Sequence, residues 1–259
     1  VTAYPSVYAT EKISDVLSLI ENYSEESIPV LSRDNKILGV VTASDVVEVV
    51  DDEMGDDYAK LGGLGEEEDL NEPVKESVRK RLPWLILLLF LGMLVSSVVS
   101  AYETVVARLT LIMAFQSMIL DMSGNVGTQS LAVTIRVLMD ENLQSSAKGK
   151  LLRKEMETGL LNGLILGIIA FAGVGFYIVL AKHYPLSQAF LVSGCIGASL
   201  VLAMFISSMV GTVVPMFFKK IGVDPAVASG PLITTITDLV GVVTYYSLAW
   251  MMLDRFTAL

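Results

Sequence analysis

Leu82-Pro-Trp-Leu-Ile-Leu-Leu-Leu-Phe-Leu-Gly-Met-Leu-Val-Ser-Ser-Val-Val-Ser-Ala101 is twenty residues without a charge. That is the length an α-helix needs to cross a hydrocarbon core of about 30 Å. Working toward the C-terminus, four more stretches qualify as crossings: about 109–138, which is interrupted, 158–181, 189–217 and 231–253. Working toward the N-terminus, the character reverses. Residues 1–81 hold 19 of the 28 Asp and Glu, while the remaining 178 residues hold nine acidic and ten basic residues. The chain therefore reads as an α-helical membrane protein with five crossings, preceded by a small acidic α/β part. No basic head followed by an apolar run opens the chain, so it carries no secretory signal pattern.

Composition excludes several classes. One cysteine allows no intrachain disulfide, and one histidine allows no motif that needs two. No P-loop is present, no nucleophile–base pair is visible, and nothing marks an enzyme. A net charge of −10 argues against nucleic acid as a partner. Membrane lipid is the expected surrounding.

Basic residues set the expected orientation. Lys75, Arg79, Lys80 and Arg81 precede the first crossing. Arg136, Lys148, Lys150, Arg153 and Lys154 lie between the second and third. Lys219 and Lys220 lie between the fourth and fifth, making eleven on one side. Arg108, Lys182 and Arg255 make three on the other. The acidic N-terminal part is expected in the cytoplasm and the C-terminus outside the cell membrane.

Polar groups at membrane depth mark candidate chemistry. Asp238 lies about seven residues into the fifth crossing, with Thr234, Gly241 and Tyr245 on the same helical stripe. Either a protonated Asp bonds a neighbouring helix there, or the stripe walls a wet path with a carboxylate for a cation. In the second crossing, Ser123-Gly124-Asn125-Val126-Gly127-Thr128-Gln129 interrupts an apolar run. It predicts a loosened or broken helix whose freed carbonyls, with the Asn, Thr and Gln side chains, offer hard oxygen donors suited to Mg²⁺ or Ca²⁺. The alternative is close packing through small residues. Ser96, Ser97, Ser100, Gly194, Gly197, Ser207 and Ser208 read as packing seams, Pro215 as a kink, and Cys195 as a small buried residue.

In the N-terminal part, 12–23 predicts a helix and Ser27–Leu31 a strand. A hairpin turn at Arg33–Lys36 leads to a second strand, 37–42. A helix follows that starts at Asp45 and is capped by Ser44. This unit, residues 1–50, is too small to bury much core alone and wants a partner unit. Together with the missing initiator Met, it leads to the expectation that more chain precedes Val1. From Asp45 to Glu72 run twelve carboxylates and one cation, Lys60. They form either a solvated acidic linker or, at three- and four-residue steps, a repelling row that divalent cations would neutralise. Residues 51–81 join this row to Val74–Arg81, an amphipathic connecting helix. Residues 82–259 form the membrane part.

The unit with Ile28-Pro29-Val30-Leu31 and Gly39-Val40-Val41-Thr42-Ala43-Ser44-Asp45 resembles a CBS motif, the second of a tandem pair. Several further elements run with it: Tyr58-Ala59-Lys60-Leu61-Gly62-Gly63, Leu94-Val95-Ser96-Ser97, Gly124-Asn125-Val126-Gly127-Thr128-Gln129-Ser130, Lys154-Glu155-Met156, Val223-Asp224-Pro225-Ala226 and Thr237-Asp238-Leu239-Val240-Gly241. With them, nearly the whole chain resembles the MgtE magnesium channels and transporters. That resemblance implies a homodimer with a Mg²⁺ pore on its two-fold axis, lined by the second and fifth crossings and gated by cytosolic Mg²⁺. It implies Asp238, Asn125, Thr128 and the neighbouring Thr234 as pore residues, and Glu103, Glu155 and Asp224 as acidic positions near the pore's ends. Asp45, Glu53, Asp56 and Asp57 would bind regulatory Mg²⁺ beside the connecting, or plug, helix. Thr42 and Asp45 match a step that in many CBS modules holds ATP as a regulatory ligand. Ser123 and Thr128 depart from the residues frequent in the family at those positions. The readings that compete with a channel are an ion-coupled transporter of another divalent cation and a membrane cation sensor that transports nothing.

Overall fold

The computed structural model describes residues 6–11, 27–64, 68, 70–103, 107, 110–138 and 145–252. The helix expected at 12–23 lies outside them. The chain divides into two compact units, Val1–Tyr58 and Ala59–Leu259.

The first unit holds a three-stranded sheet, β1 (Val7–Tyr8), β2 (Ser27–Leu31) and β3 (Ile37–Thr42), in that spatial order. β1 runs parallel to β2 with Val7 opposite Val30, and β2 runs antiparallel to β3 with Ile28 opposite Val41. The hairpin turn is built by Ser32. Its hydroxyl accepts from the Asp34 and Lys36 amides, and Asn35 takes the left-handed conformation that Asn tolerates. Val7 and Ile28 are buried, but Ile37, Leu38 and Val40 stay exposed on β3. That small core is what a unit of this length is expected to build.

Helix α1 (Ala43–Leu61) begins two residues earlier than the sequence predicts. Thr42, not Ser44, is its cap. The Asp45 carboxylate accepts from the Thr42 amide and hydroxyl at 2.8 Å each, and the Asp45 amide donates to the Thr42 hydroxyl at 3.4 Å. This is a reciprocal capping box.

The second unit is helical: α2 (Val74–Ala101), a short α3 (Thr110–Met113), α4 (Gln116–Leu138), α5 (Ser145–Lys182), α6 (Leu186–Lys220), one 3₁₀ turn (Pro225–Val227) and α7 (Gly230–Met251). Four of these, α2, α5, α6 and α7, are long and apolar enough to cross a membrane. The connecting segment Val74–Arg81 and the first apolar run form one continuous helix through Pro83. Similarly, α6 continues through Pro215 to Lys220. α5 starts thirteen residues before the apolar run at 158 and spans about 57 Å at 1.5 Å per residue.

The helices alternate in direction, as their end contacts record. At one end the Lys219 ammonium donates to the last carbonyl of α4, Leu138. There Trp84, in the first half of α2, lies beside Gly63 and Pro231. At the other end Tyr102 bonds Ser247 at 2.8 Å, and the Tyr245 hydroxyl donates to the Ile112 carbonyl at 2.7 Å. α6 packs against α5, α4 and α7, and α4 packs against α7. Association between apolar helices in lipid rests on close contact rather than on water exclusion. The sequence supplies that contact through small residues. A side chain on Gly167 would meet the Gly197 carbonyl, and one on Gly197 would meet the Gly167 carbonyl, at 2.9 and 2.7 Å. A side chain on Gly211 would fall inside the Gly127 carbonyl oxygen.

The buried backbone at Gly211 makes a test. Gly211→Ala should force α6 off α4 and destabilise the protein by about 1–3 kcal/mol, the usual cost of overpacking. Gly194→Ala, whose added carbon meets nothing nearer than Phe171 at 3.7 Å, should be neutral. Thermal unfolding in detergent reads the difference, and equal melting temperatures would contradict the seam.

Candidate ion pathway

α7 is fixed at both ends. At its start the Ser229 hydroxyl caps the Leu232 amide. Just before that, Asp224 accepts from the Ala226 amide at 2.9 Å and pairs with the Lys60 ammonium at 2.8 Å. At its far end Tyr245 and Tyr246 reach the Ile112 carbonyl and the Gln116 amide oxygen. Asp238 therefore sits on a helix held against rotation.

Between these ends α7 lies directly on α4. A side chain on Gly124 would come within 3.2 Å of Thr234, and one on Gly127 within 2.8 Å of Thr237. One on Gly241 would come within 3.1 Å of the Ser123 hydroxyl. Ser123 is fully buried and donates to the Thr237 carbonyl at 3.0 Å, a direct bond from one helix to the backbone of the other.

This corrects the expectation for 123–129. α4 is unbroken from Gln116 to Leu138, and among the described residues the turn beside it precedes Gln116. The glycines keep their helical hydrogen bonds and serve contact. The carbonyls of Gly124 and Asn125 also accept from the Thr128 hydroxyl at 3.2 and 2.9 Å, so they are not freed for a cation. Small-residue packing describes the segment.

The same packing sorts the polar residues by face. With Ser123, Gly124 and Gly127 turned to α7, and Ile233, Thr237 and Gly241 turned to α4, one flank of the seam carries the rest. Thr128 and exposed Asn125 stand there on α4. Thr234 and half-buried Asp238 stand there on α7. Thr234 bonds its own helix at the Gly230 carbonyl, 2.9 Å away. Asp238 has no hydrogen-bond or ion-pair partner among the described residues.

The remaining sequence candidates are not gathered at this flank. Glu103 is exposed beyond the end of α2. Glu155 is buried on α5, where its carbonyl accepts the Ser208 hydroxyl at 2.6 Å and Ser208 meets Ser130 at 2.9 Å. Asp224 has both carboxylate oxygens engaged, one by an amide and one by Lys60. Lys60 was missed as a site residue, although it is the one cation in the acidic stretch 45–72. In the N-terminal part, Asp45 is occupied by its cap, Asp56 is exposed and Asp57 half-buried on α1, and the Glu53 side chain lies outside the described structure. Thr42, the other half of the nucleotide step, bonds Asp45. Among the described residues no three His, Cys, Asp or Glu side chains converge to hold a metal.

The divalent cation transporter family MgtE matches residues 116–248, and the CBS domain family matches residues 1–52. The chain is similar to the magnesium transporter MgtE of Enterococcus faecalis, with 39% identity over 251 residues, 97% of this chain and 53% of that protein. The magnesium transporter MgtE of Bacillus subtilis is 34% identical over 244 residues, 94% of this chain and 52% of that protein. That of Thermus thermophilus is 31% identical over 246 residues, 93% and 52% respectively. The chain thus spans about half the length of the relatives it matches.

The cap on α1 is open to titration. The Thr42 amide, and after it the Thr42 hydroxyl, hold the Asp45 carboxyl below the ordinary carboxylate range. The cap's contribution is therefore complete above that range and is lost as pH falls through the depressed value. Thr42→Val should return Asp45 toward its ordinary pKa in a carbon-13 titration of the whole chain. An unchanged value would remove the Thr42 hydroxyl as a cause.

Proposed function

The chain belongs to the MgtE family of divalent cation transporters, and from that membership we propose that it conducts Mg²⁺ across the cell membrane. The pathway runs along the α4–α7 flank of two identical chains. α2, α4, α5, α6 and α7 make five crossings, the N-terminal unit faces the cytoplasm, and the C-terminus lies outside. The observation that carries this reading is Asp238, a carboxylate at mid-helix on a rigidly held α7. It has no partner among the described residues and shares one flank with Thr234, Thr128 and Asn125.

The chemistry suits Mg²⁺ as substrate. This ion dehydrates reluctantly and is readily held through its own waters. One carboxylate from each of two chains, with Thr128, Thr234 and Asn125 as acceptors for those waters, captures it without stripping them and releases it quickly. An inside-negative potential drives entry with roughly 4.6 kcal/mol per divalent ion per 100 mV. No nucleophile or hydrolytic step is involved, and the protein acts as a transporter rather than an enzyme.

Cytosolic Mg²⁺ closes the pathway in this proposal. Asp45, Glu53, Asp56 and Asp57 on α1 repel one another, and bound Mg²⁺ screens them. The ion then favours whichever state brings them together, a population shift in the ordinary sense. Among the described residues these carboxylates do not converge, and in this proposal the ligand set is completed by further chain or by a second copy. α1 runs without a break into Lys60, which holds Asp224 just ahead of α7. A change at α1 thereby has a short route, through this ion pair, to the helix that carries Asp238.

Two measurements test the reading. Asp238→Asn should lower Mg²⁺ flux into liposomes at least about tenfold, while assembly stays intact. In a 1:1 mixture with wild type, flux should fall to about a quarter, because both chains of a shared path must keep the carboxylate. Wild-type flux in the assembled variant would sink the pathway, and half-maximal flux in the mixture would sink the shared axis. Neutralising Asp56 and Asp57 together should shift channel closure to higher cytosolic Mg²⁺ in patch recordings without altering ion selectivity. Closure over the unchanged Mg²⁺ range would make α1 a solvated acidic helix.

A further inference from the structure

At the start of α2 the chain lines an open cavity of about 690 Å³, within the size range of ligand pockets. Glu72, Glu76, Arg79, Lys80, Pro83 and Trp84 form most of its wall. Lys80 and Glu72 neutralise each other at 2.9 Å. Glu76 and Arg79 do not pair with each other, and neither side chain has a hydrogen-bond or ion-pair partner among the described residues. Among the described residues the wall therefore presents one unpaired cation and one unpaired anion, three residues apart on one helix face.

Its depth is set by the sequence. Pro83 and Trp84 open the uncharged run that ends at Ala101. Tryptophan at such a boundary marks the headgroup level of a bilayer. Above Pro83 the same face of α2 continues through Leu87, Phe90 and Leu94 at three- and four-residue steps. All three are exposed, at 43, 63 and 51%. A charged cavity at headgroup level thus opens onto an apolar track running toward the membrane centre.

We propose that this cavity binds the headgroup of a zwitterionic phospholipid bearing a primary ammonium, phosphatidylethanolamine. The Arg79 guanidinium takes the phosphate through its planar fork of N–H donors. The Glu76 carboxylate accepts N–H donors of the ammonium, which a trimethylated headgroup lacks. One acyl chain lies along Leu87, Phe90 and Leu94. The site asks only that α2 span a membrane, and it is independent of which ion the protein carries.

The whole chain, purified in detergent, is exposed to equal amounts of phosphatidylethanolamine, phosphatidylcholine and phosphatidylglycerol, and retained lipid is weighed by native mass spectrometry. Wild type should retain ethanolamine lipid about tenfold over choline lipid, the ratio one good charged hydrogen bond supplies. Glu76→Gln should erase that preference, and Arg79→Gln should remove retention of both. Both side chains are exposed, so the helix should survive their replacement, and the wild-type comparison needs no variant. Equal retention of the glycerol lipid would reduce the site to general attraction by a basic surface and overturn the proposal. Displacement by soluble phosphoethanolamine at equal concentration would overturn a lipid as the ligand. Unchanged retention in both variants, or no lipid retained, would overturn the site. None of these results bears on Mg²⁺ flux, so the transport reading stands or falls separately.

Discussion

The bond from the Ser123 hydroxyl to the Thr237 carbonyl, with no side chain at Gly124 and Gly127, is the constraint on which the membrane unit turns. In lipid there is no water to release between apolar helices. Their association depends on how closely the backbones approach. Two absent side chains on α4 admit α7 on one side, and Gly211 on α6 admits the Gly127 carbonyl on another. α4 is thereby wedged between two neighbours through a stretch of only a few residues. The polar groups that cannot enter these contacts, Asn125 and Thr128 on α4 and Thr234 and Asp238 on α7, are left together on the open flank. The proposed ion path is thus the residue of a packing problem: the helices meet so closely on one side that their polar side chains have only the other.

Much of this was legible from residue type and spacing. The apolar runs located α2, α5, α6 and α7, because length and hydropathy report directly on what a bilayer accepts. The stripe read through Thr234, Asp238, Gly241 and Tyr245 is divided by the fold: Gly241 turns to α4 and Tyr245 is buried, while Thr234 and Asp238 stand on the flank. For 123–129 the fold takes the alternative that the sequence leaves open, close packing in an unbroken helix. Two glycines and four polar side chains are equally what a broken helix and a close-packed helix require. Sequence shows the missing side chains but not the neighbour that fills their place. The Thr128 hydroxyl settles the matter locally, by closing onto the carbonyls that a broken helix would have freed.

The N-terminal unit shows the same limit on a smaller scale. A T-x-x-D step reads equally as a nucleotide contact and as a capping box, since both use a hydroxyl and a carboxylate three residues apart. Here the two side chains bond one another and start α1 at Ala43. The acidic row that follows was visible as charge. Its partners were not, because repelling carboxylates on one helix announce a need for cations without saying where those cations come from. The one cation within the acidic stretch pairs outside the row. Lys60, at the end of α1, holds Asp224.

That pair bears on how an acidic helix and the helix that carries Asp238 can be coupled at all. An exposed ion pair contributes about 0.2–1 kcal/mol to stability, too little to hold two elements together on its own. It is, however, fixed in direction. Asp224 also caps the turn that leads into α7, and the end of α1 lies against the same segment through the Leu61 carbonyl beside Gly230. A weak electrostatic contact backed by close packing can be broken or re-formed by a modest change in local charge, whereas a buried pair could not. Coupling of a few kcal/mol is all that regulation needs. The far end of α7 is anchored differently, by buried tyrosine hydroxyls on backbone and amide oxygens. One end of the helix is therefore held by contacts indifferent to charge and the other by a contact that responds to it. Movement of α7 driven from α1 would have to be a pivot about the Tyr245–Tyr246 end, with its largest displacement near Gly230 and a smaller one at Asp238.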